Sequence, residues 1–139
     1  NVKVLLNPAP AADLNPEWLE LATYITPNEH ELSALYPNKT TEETLLANEN
    51  KIIVTLGSQG VGYADDGEIH IVPGFKVEPV DTTGAGDTFN GAFATAIVNG
   101  KSLADALHYS NAAAALSIQK LGAQTGMPTK DEVDAFVSK

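Results

Sequence analysis

Asp81-Thr82-Thr83-Gly84-Ala85-Gly86-Asp87-Thr88-Phe89-Asn90-Gly91 reads as two glycines closing a tight loop ahead of an apolar helix that runs to about Asn99. Glycine at 84 and 86 lets successive backbone N–H groups turn toward one point, a concave anion site at a positive helix end. Asp87 stands at that point. A carboxylate beside an anion hole can take a proton from a hydroxyl while the hole holds the transferring negative charge, the layout of phosphoryl transfer. An Asp near a helix start also caps orphan N–H groups and suits the macrodipole. On the loop alone both roles stay open. The stretch is not a dinucleotide fingerprint, because Phe89 stands where G-x-G-x-x-G needs its third glycine. Gly100-Lys101-Ser102 is not a Walker A loop either, since Thr95 takes the place of the first glycine and a helix precedes it. Gly100 reads as a helix C-cap and Ser102 as the next N-cap.

At 139 residues with 43% hydrophobic content, the chain fits one domain with its own core. Its sequence has no apolar run of about 18 residues for a membrane span and no signal-peptide pattern. The absence of cysteine removes disulfides and thiolate metal sites and fits a reducing, cytoplasmic setting. A formal charge of −10, with eight lysines and no arginine, argues against nucleic acid. An acidic chain that handles phosphates must concentrate positive potential locally, through amides, a helix end or bound cations.

The pattern predicts strands at Val2–Leu6, Tyr24–Thr26 and Lys51–Leu56, with a hairpin of Val61–Ala64 and Glu68–Val72 around Asp65-Asp66-Gly67. Helices are expected at Pro16–Leu21 with Asn15 as N-cap, at Asn28–Leu35, and at Thr40–Ala47 with Glu43 completing a capping box. Three more follow at Asp87–Asn99, Leu103–Gln119 and Thr129–Val137. Alternating strands and helices, then helices at the end, give a layered α/β fold with a mainly parallel sheet.

The signature stretch resembles the second signature of the ribokinase family, the PfkB-type carbohydrate kinases. Leu6-Asn7-Pro8-Ala9-Pro10-Ala11, Thr26-Pro27-Asn28-Glu29-His30-Glu31, Thr55-Leu56-Gly57-Ser58-Gln59-Gly60 and Gly122-Ala123-Gln124 follow in family order and spacing. The resemblance implies a three-layer ribokinase-like α/β fold. It makes residues 1–139 the C-terminal ATP-binding and catalytic part of a protein about twice as long, with the sugar-binding and lid part absent. The implied activity is ATP-dependent phosphorylation of a sugar hydroxyl, ribose to ribose 5-phosphate first. Fructose, deoxyribose or a nucleoside are alternative acceptors, and the isolated chain is alternatively a nucleotide-binding module without catalysis. A homodimer is expected of the full-length protein. An unpaired sheet edge would leave the isolated chain as an oligomer or awaiting a complementing chain.

By the same resemblance Asp87 is the catalytic base, and the amides from Gly84 through Ala85 and Gly86 to Asp87 hold the phosphate charge. Asn28, Thr55, Leu56, Gly57, Ser58, Gln59, Gly60 and Asn111 line the ATP site, and Glu31 acts indirectly on Mg²⁺. Asn28 and Glu31 equally suit an N-cap and its N3 partner, residues 57–60 an ordinary turn, and Asn111 an exposed helix face. Asp81 and Thr83, with Ser117, Lys120, Gly122 and Gly126, match a monovalent-cation (K⁺) loop that uses mostly backbone carbonyls. Gly126 departs from the family pattern, which commonly offers a serine hydroxyl there, so that site has one fewer protein ligand. The three histidines have no metal spacing.

Overall fold

Two short strands open the first part of the chain: β1 (Leu5–Leu6) runs parallel to β2 (Tyr24–Ile25), with Leu5 opposite Tyr24. This computed structural model describes residues 2–8, 15–82, 84–119 and 128–137, arranged in two units, Asn1–Ile71 and Val72–Lys139. β1 is shorter than the expected Val2–Leu6. Thr23 Oγ1 accepts the Val4 N–H at 2.9 Å, and the Val4 carbonyl is shared by the amides of Thr23 and Tyr24. A side chain thus replaces strand pairing at the start of the run.

Past β2 the chain stays beside the next apolar segment. Ile25 lies opposite Ile52 and Asn28 opposite Thr55, both parallel. β3 (Val54–Thr55) is the regular part of the expected Lys51–Leu56 strand. Ile52, Ile53 and Val54 are 0%, 0% and 1% exposed, so both faces of this segment are covered. β3 then pairs antiparallel with β4 (Val61–Asp65), which neighbours β5 (Glu68–Val72). The sheet is therefore mixed, parallel through β1, β2 and residues 52–55 and antiparallel from β3 onward. Connection length explains the change, because a parallel return needs a crossover of about a dozen residues. β3 and β4 are joined by a single 3-10 turn at Gly57–Gln59 and by Gly60. β4 and β5 are joined by Asp66 and Gly67, whose φ values of 51° and 74° suit a two-residue type I′ turn.

Three helices accompany these strands: α1 (Pro16–Leu21), α2 (Glu29–Leu35) and α3 (Thr41–Ala47). Asn15 caps α1 by accepting from the Glu17 N–H, with Pro16 at its first turn. Thr40 and Glu43 cap α3 reciprocally: Thr40 Oγ1 accepts from the Glu43 N–H at 3.1 Å, and Glu43 Oε1 from the Thr40 N–H at 3.0 Å. Leu32 of α2 and Leu45 of α3 join Ala22, Ile25, Ile52, Val54 and Ala64 in the core of this unit.

The second unit is helical, with α4 (Ala85–Val98), α5 (Leu103–Ser117) and α6 (Lys130–Val137). α4 and α5 pack against each other. Phe89, Phe93 and Ala96 are buried on α4, and Ala106, Leu107, Ala112 and Ala113 on α5. The link between them is a Schellman turn in which Gly100 N–H reaches the Ile97 carbonyl and Lys101 N–H the Ala96 carbonyl. Gly100 has φ 83°, a conformation costly for any residue with a Cβ. Ser102 Oγ accepts from the Asp105 N–H and starts α5. Both capping roles read from the sequence are present.

The Thr40 backbone N–H, and then the Thr40 side chain, hold the Glu43 carboxyl below the ordinary glutamate value of 4.5. A carboxyl lowered in the folded state contributes stability that is full above the unfolded value and lost as pH falls through the folded one. Thr40→Ala is therefore expected to lower the melting temperature at neutral pH and to bring Glu43 back toward 4.5 in an NMR titration. The backbone N–H at position 40 survives the substitution, so the return is partial, and an unchanged melting temperature would show that the Thr40 side chain does not cap α3.

Candidate active site

Parallel strands deliver the loops at their C-terminal ends to one edge of a sheet, where open α/β folds bind ligands. In the first unit three of the singled-out motifs reach that edge. Asn7-Pro8 follows β1, and the Leu6 carbonyl accepts from the Thr26 N–H at 3.1 Å. Pro27-Asn28 follows β2, and Thr55 starts the loop after β3. The Thr55 N–H reaches the Pro27 carbonyl at 2.8 Å, so Asn28 and Thr55 lie side by side. Asn28 Oδ1 accepts from the Glu31 N–H at 2.7 Å, and Glu31 Oε1 from the Asn28 N–H at 2.9 Å, closing a capping box on α2. The capping reading of this pair is thus observed. It uses one oxygen of Glu31 and leaves the other for a further partner, as indirect coordination of a phosphate-bound Mg²⁺ through water would need. In the next loop the Leu56 N–H bonds the Gly60 carbonyl at 2.8 Å, closing a turn whose Gly57, Ser58 and Gln59 face solvent.

The second unit holds the glycine loop. Gly84 has φ 79° and caps α4, so the helix begins at Ala85, two residues before the expected start. Asp87 is therefore the third helical residue, exposed to solvent, with no hydrogen bond or ion pair among the described residues. The Ala85 N–H bonds the Thr82 carbonyl at 3.2 Å, and helical bonding begins with the Thr88 N–H to the Gly84 carbonyl. Among the described residues, the amides of Gly86 and Asp87 have no such partner. A Cβ added at Gly86 would meet nothing within 4 Å. Packing among the described residues does not explain that glycine, and N–H groups at a helix start without a partner among the described residues suit an anion such as a phosphate.

The chain has relatives among known proteins. Residues 1–130 match the family model described as pfkB family carbohydrate kinase. The chain belongs to that family. It is 50% identical to the ribokinase of Bacillus subtilis over 138 residues, covering 99% of this chain and 47% of that protein. Its fold matches the ribokinase of Thermotoga maritima with a TM-score of 0.91 and 40% identity, over 100% of this chain and 50% of the other. Arabidopsis thaliana ribokinase complexed with ribose and ATP gives a TM-score of 0.84 at 32% identity, over 99% of this chain and 48% of that one. The chain spans about half the length of the curated relatives it matches.

This PfkB-family chain places its remaining candidate residues as follows. Asn111 is 7% exposed rather than on an open helix face. Its Nδ2 donates to the carbonyls of Val72 at 3.0 Å and Pro73 at 3.2 Å. Ser117 is buried, and its hydroxyl is spent on the Ala114 carbonyl. The amides of Val80 and Asp81 both reach the Ile118 carbonyl, at 2.6 and 3.0 Å, so the approach to the glycine loop meets the C-terminal end of α5. Asp81 and Ser117 of the cation set are thus drawn to one end of the unit. Thr83, Lys120, Gly122 and Gly126 lie outside the described residues, as do Ala9-Pro10-Ala11 and Ala123-Gln124. Among the described residues no three His, Asp or Glu side chains cluster as a metal site, and no helix is long and apolar enough to cross a membrane.

Thr88 is a residue that sequence reasoning missed. Next to Asp87, it is 6% exposed, and its Oγ1 is buried without a hydrogen-bond partner. It faces a hollow of about 300 Å³ whose lining includes Gly91, Thr95, Tyr109 and Lys130. A helical threonine ordinarily bonds its own i−4 carbonyl, as Thr95 does to Gly91 at 2.9 Å, so nothing in the sequence marks this one. Thr88→Val keeps the shape and removes the orphan hydroxyl. It is expected to leave the unfolding free energy of this chain unchanged or raise it by up to about 1 kcal/mol, read by urea denaturation. A loss of more than about 1 kcal/mol would show that the hydroxyl is bonded after all.

Proposed function

We propose that this chain forms the nucleotide-binding and phosphoryl-transfer portion of an ATP-dependent sugar kinase whose acceptor is ribose. The observation that carries the reading is the exposed Asp87 carboxylate on the same helical turn as two amides that have no partner among the described residues, in a chain 50% identical to a ribokinase. Asp87 accepts the proton of the ribose 5-hydroxyl as that oxygen attacks the γ-phosphorus. The bond to the β,γ-bridging oxygen breaks and ADP leaves. The N–H groups of Gly86 and Asp87 hold the charge on the transferring group, with Gly84 and Ala85 setting their direction. Asn28 and residues Thr55–Gly60 line the nucleotide from the sheet edge, and Glu31 reaches Mg²⁺ through water. Mg²⁺, when bound, draws charge from the phosphate oxygens. Asp81 and the chain after α5 would hold a K⁺ if one binds, which would add positive charge beside the phosphates.

Exposure of Asp87 favours a second statement about the chain by itself. Phosphoryl transfer needs water kept from the reacting atoms, so the 139 residues alone bind nucleotide without turning it over. Calorimetry of the chain with ATP and Mg²⁺ tests the first half of this, and heat no different from buffer would remove it. Glu31→Gln keeps the capping oxygen and removes the charge. It is expected to leave the melting temperature in place while weakening Mg²⁺-dependent binding of ATP, and equal binding by both forms would make Glu31 a cap and nothing more.

The transfer step is tested in a chimera that places this chain in the corresponding half of the Bacillus subtilis ribokinase. Asp87→Asn there is expected to lower kcat for ribose about 10²–10⁴-fold with ATP affinity retained. A chimera with normal kcat after the substitution would leave Asp87 as a helix cap. Ribose as the acceptor is tested on this chain joined to its own sugar-binding part, assayed against a panel of sugars, and no turnover of ribose would reject it.

A further inference from the structure

β1 has a partner on one side only. Its neighbour is β2, and β2 in turn lies beside residues 52–55, so among the described residues β1 ends the parallel part of the sheet. Along a strand, successive residues turn their N–H and C=O groups alternately to its two sides. The side facing β2 is fixed by observed bonds. The Val4 carbonyl accepts from the Tyr24 N–H and the Leu6 carbonyl from the Thr26 N–H, both at 3.1 Å. The backbone groups of Lys3 and Leu5 therefore point the other way, where β1 has no strand neighbour among the described residues.

The flank of this edge is apolar. Val2 and Val4 are 91% and 45% exposed, and Leu21 is 76% exposed two residues before the Thr23 that holds Val4. Strand edges that stay open are blunted by charge, proline or a bulge. From Val2 to Leu6, Lys3 is the one such residue. Parallel strands, moreover, belong to sheet interiors with both faces covered.

A second copy is a poor cover, because pairing would bring two net charges of −10 together. The fold match points to a different neighbour. It takes in all of this chain and 50% of the Thermotoga maritima ribokinase, so a body of chain of equal size accompanies the matched part there.

We propose that the β1 edge is a strand-acceptor surface: a strand from the part of a PfkB-family kinase that this chain does not span pairs with Lys3 and Leu5 and covers Val2, Val4 and Leu21. Assembly through this edge is independent of nucleotide binding and of phosphoryl transfer.

Amide hydrogen exchange reads the alternation directly. The chain is measured alone and after co-expression with the part of Bacillus subtilis ribokinase that lies outside the match, and that part co-expressed with its own remaining half is the control. The amides of Lys3 and Leu5 are expected to exchange about tenfold slower or more in the complex, with Val4, already bonded to Thr23, changing less. Leu5→Pro removes the outward N–H and keeps the two carbonyl bonds to β2. It is expected to weaken the complex at least tenfold while the free chain keeps its melting temperature. If that variant does not fold, Val4→Lys, which sets a charge on the exposed flank, is measured in its place. A complex in which Lys3 and Leu5 exchange as fast as in the free chain would overturn the proposal, as would no complex where the control pair forms one. Protection of these amides in the chain alone, with a doubled mass by light scattering, would make a second copy the occupant and overturn it too. Where the control pair does not assemble, the chimera described above is compared with the free chain and judged by the same exchange at Lys3 and Leu5.

Discussion

Gly84 holds a left-handed backbone, with φ 79°, and the chemistry offered by the second unit depends on it. A residue with a Cβ would pay roughly 1–2 kcal/mol to adopt that conformation. The bend lets α4 begin at Ala85, makes Asp87 its third residue, and leaves the N–H groups of Gly86 and Asp87 without a backbone partner among the described residues. Without the bend, the acid and the donors would not share an end of the helix. Gly86 leaves open the space a Cβ would take up on this turn.

The first unit solves a related problem by different means. Its loops contribute because the strands before them are parallel, so Asn7-Pro8, Asn28 and Thr55 emerge on one edge. Reciprocal capping fixes Asn28 and Glu31 in place, and a pair held this way loses little entropy if it takes a ligand. Neither the pair nor the glycine loop contains a cationic side chain. In an acidic chain without arginine, the phosphate recognition proposed above would fall to backbone dipoles and to ions brought in with the ligand.

Local signals were the legible ones. Asp66-Gly67, Gly100, Ser102, Asn15 and the Thr40–Glu43 pair act through neighbours within a few residues, and each does what its type suggests. The family order of the motifs made the class of fold readable as well. Reading failed where the partner is remote or competes. Thr23 displaces strand pairing at Val4, and no propensity for Val2–Leu6 encodes that. The antiparallel turn of the sheet after β3 follows from loop length, which the hairpin signal implied and the alternation of elements obscured. Asn111 in an alanine-rich helix looked solvent-facing because its two acceptors lie 38 and 39 residues earlier. Within the candidate site the acid and the glycines were visible in the sequence. The engagement of the Ala85 amide by Thr82 and the orphan hydroxyl of Thr88 were not, since both are set by coordinates rather than residue type.

A receptor for anions made from peptide hydrogens has no proton to gain or lose near neutrality. The two amides beside Asp87 keep the same polarity whether their surroundings are mildly acidic or mildly alkaline, where a histidine would switch off and a lysine would collect stray counterions. Any response to acidity in such a site must then come from somewhere other than the cradle, which stays constant.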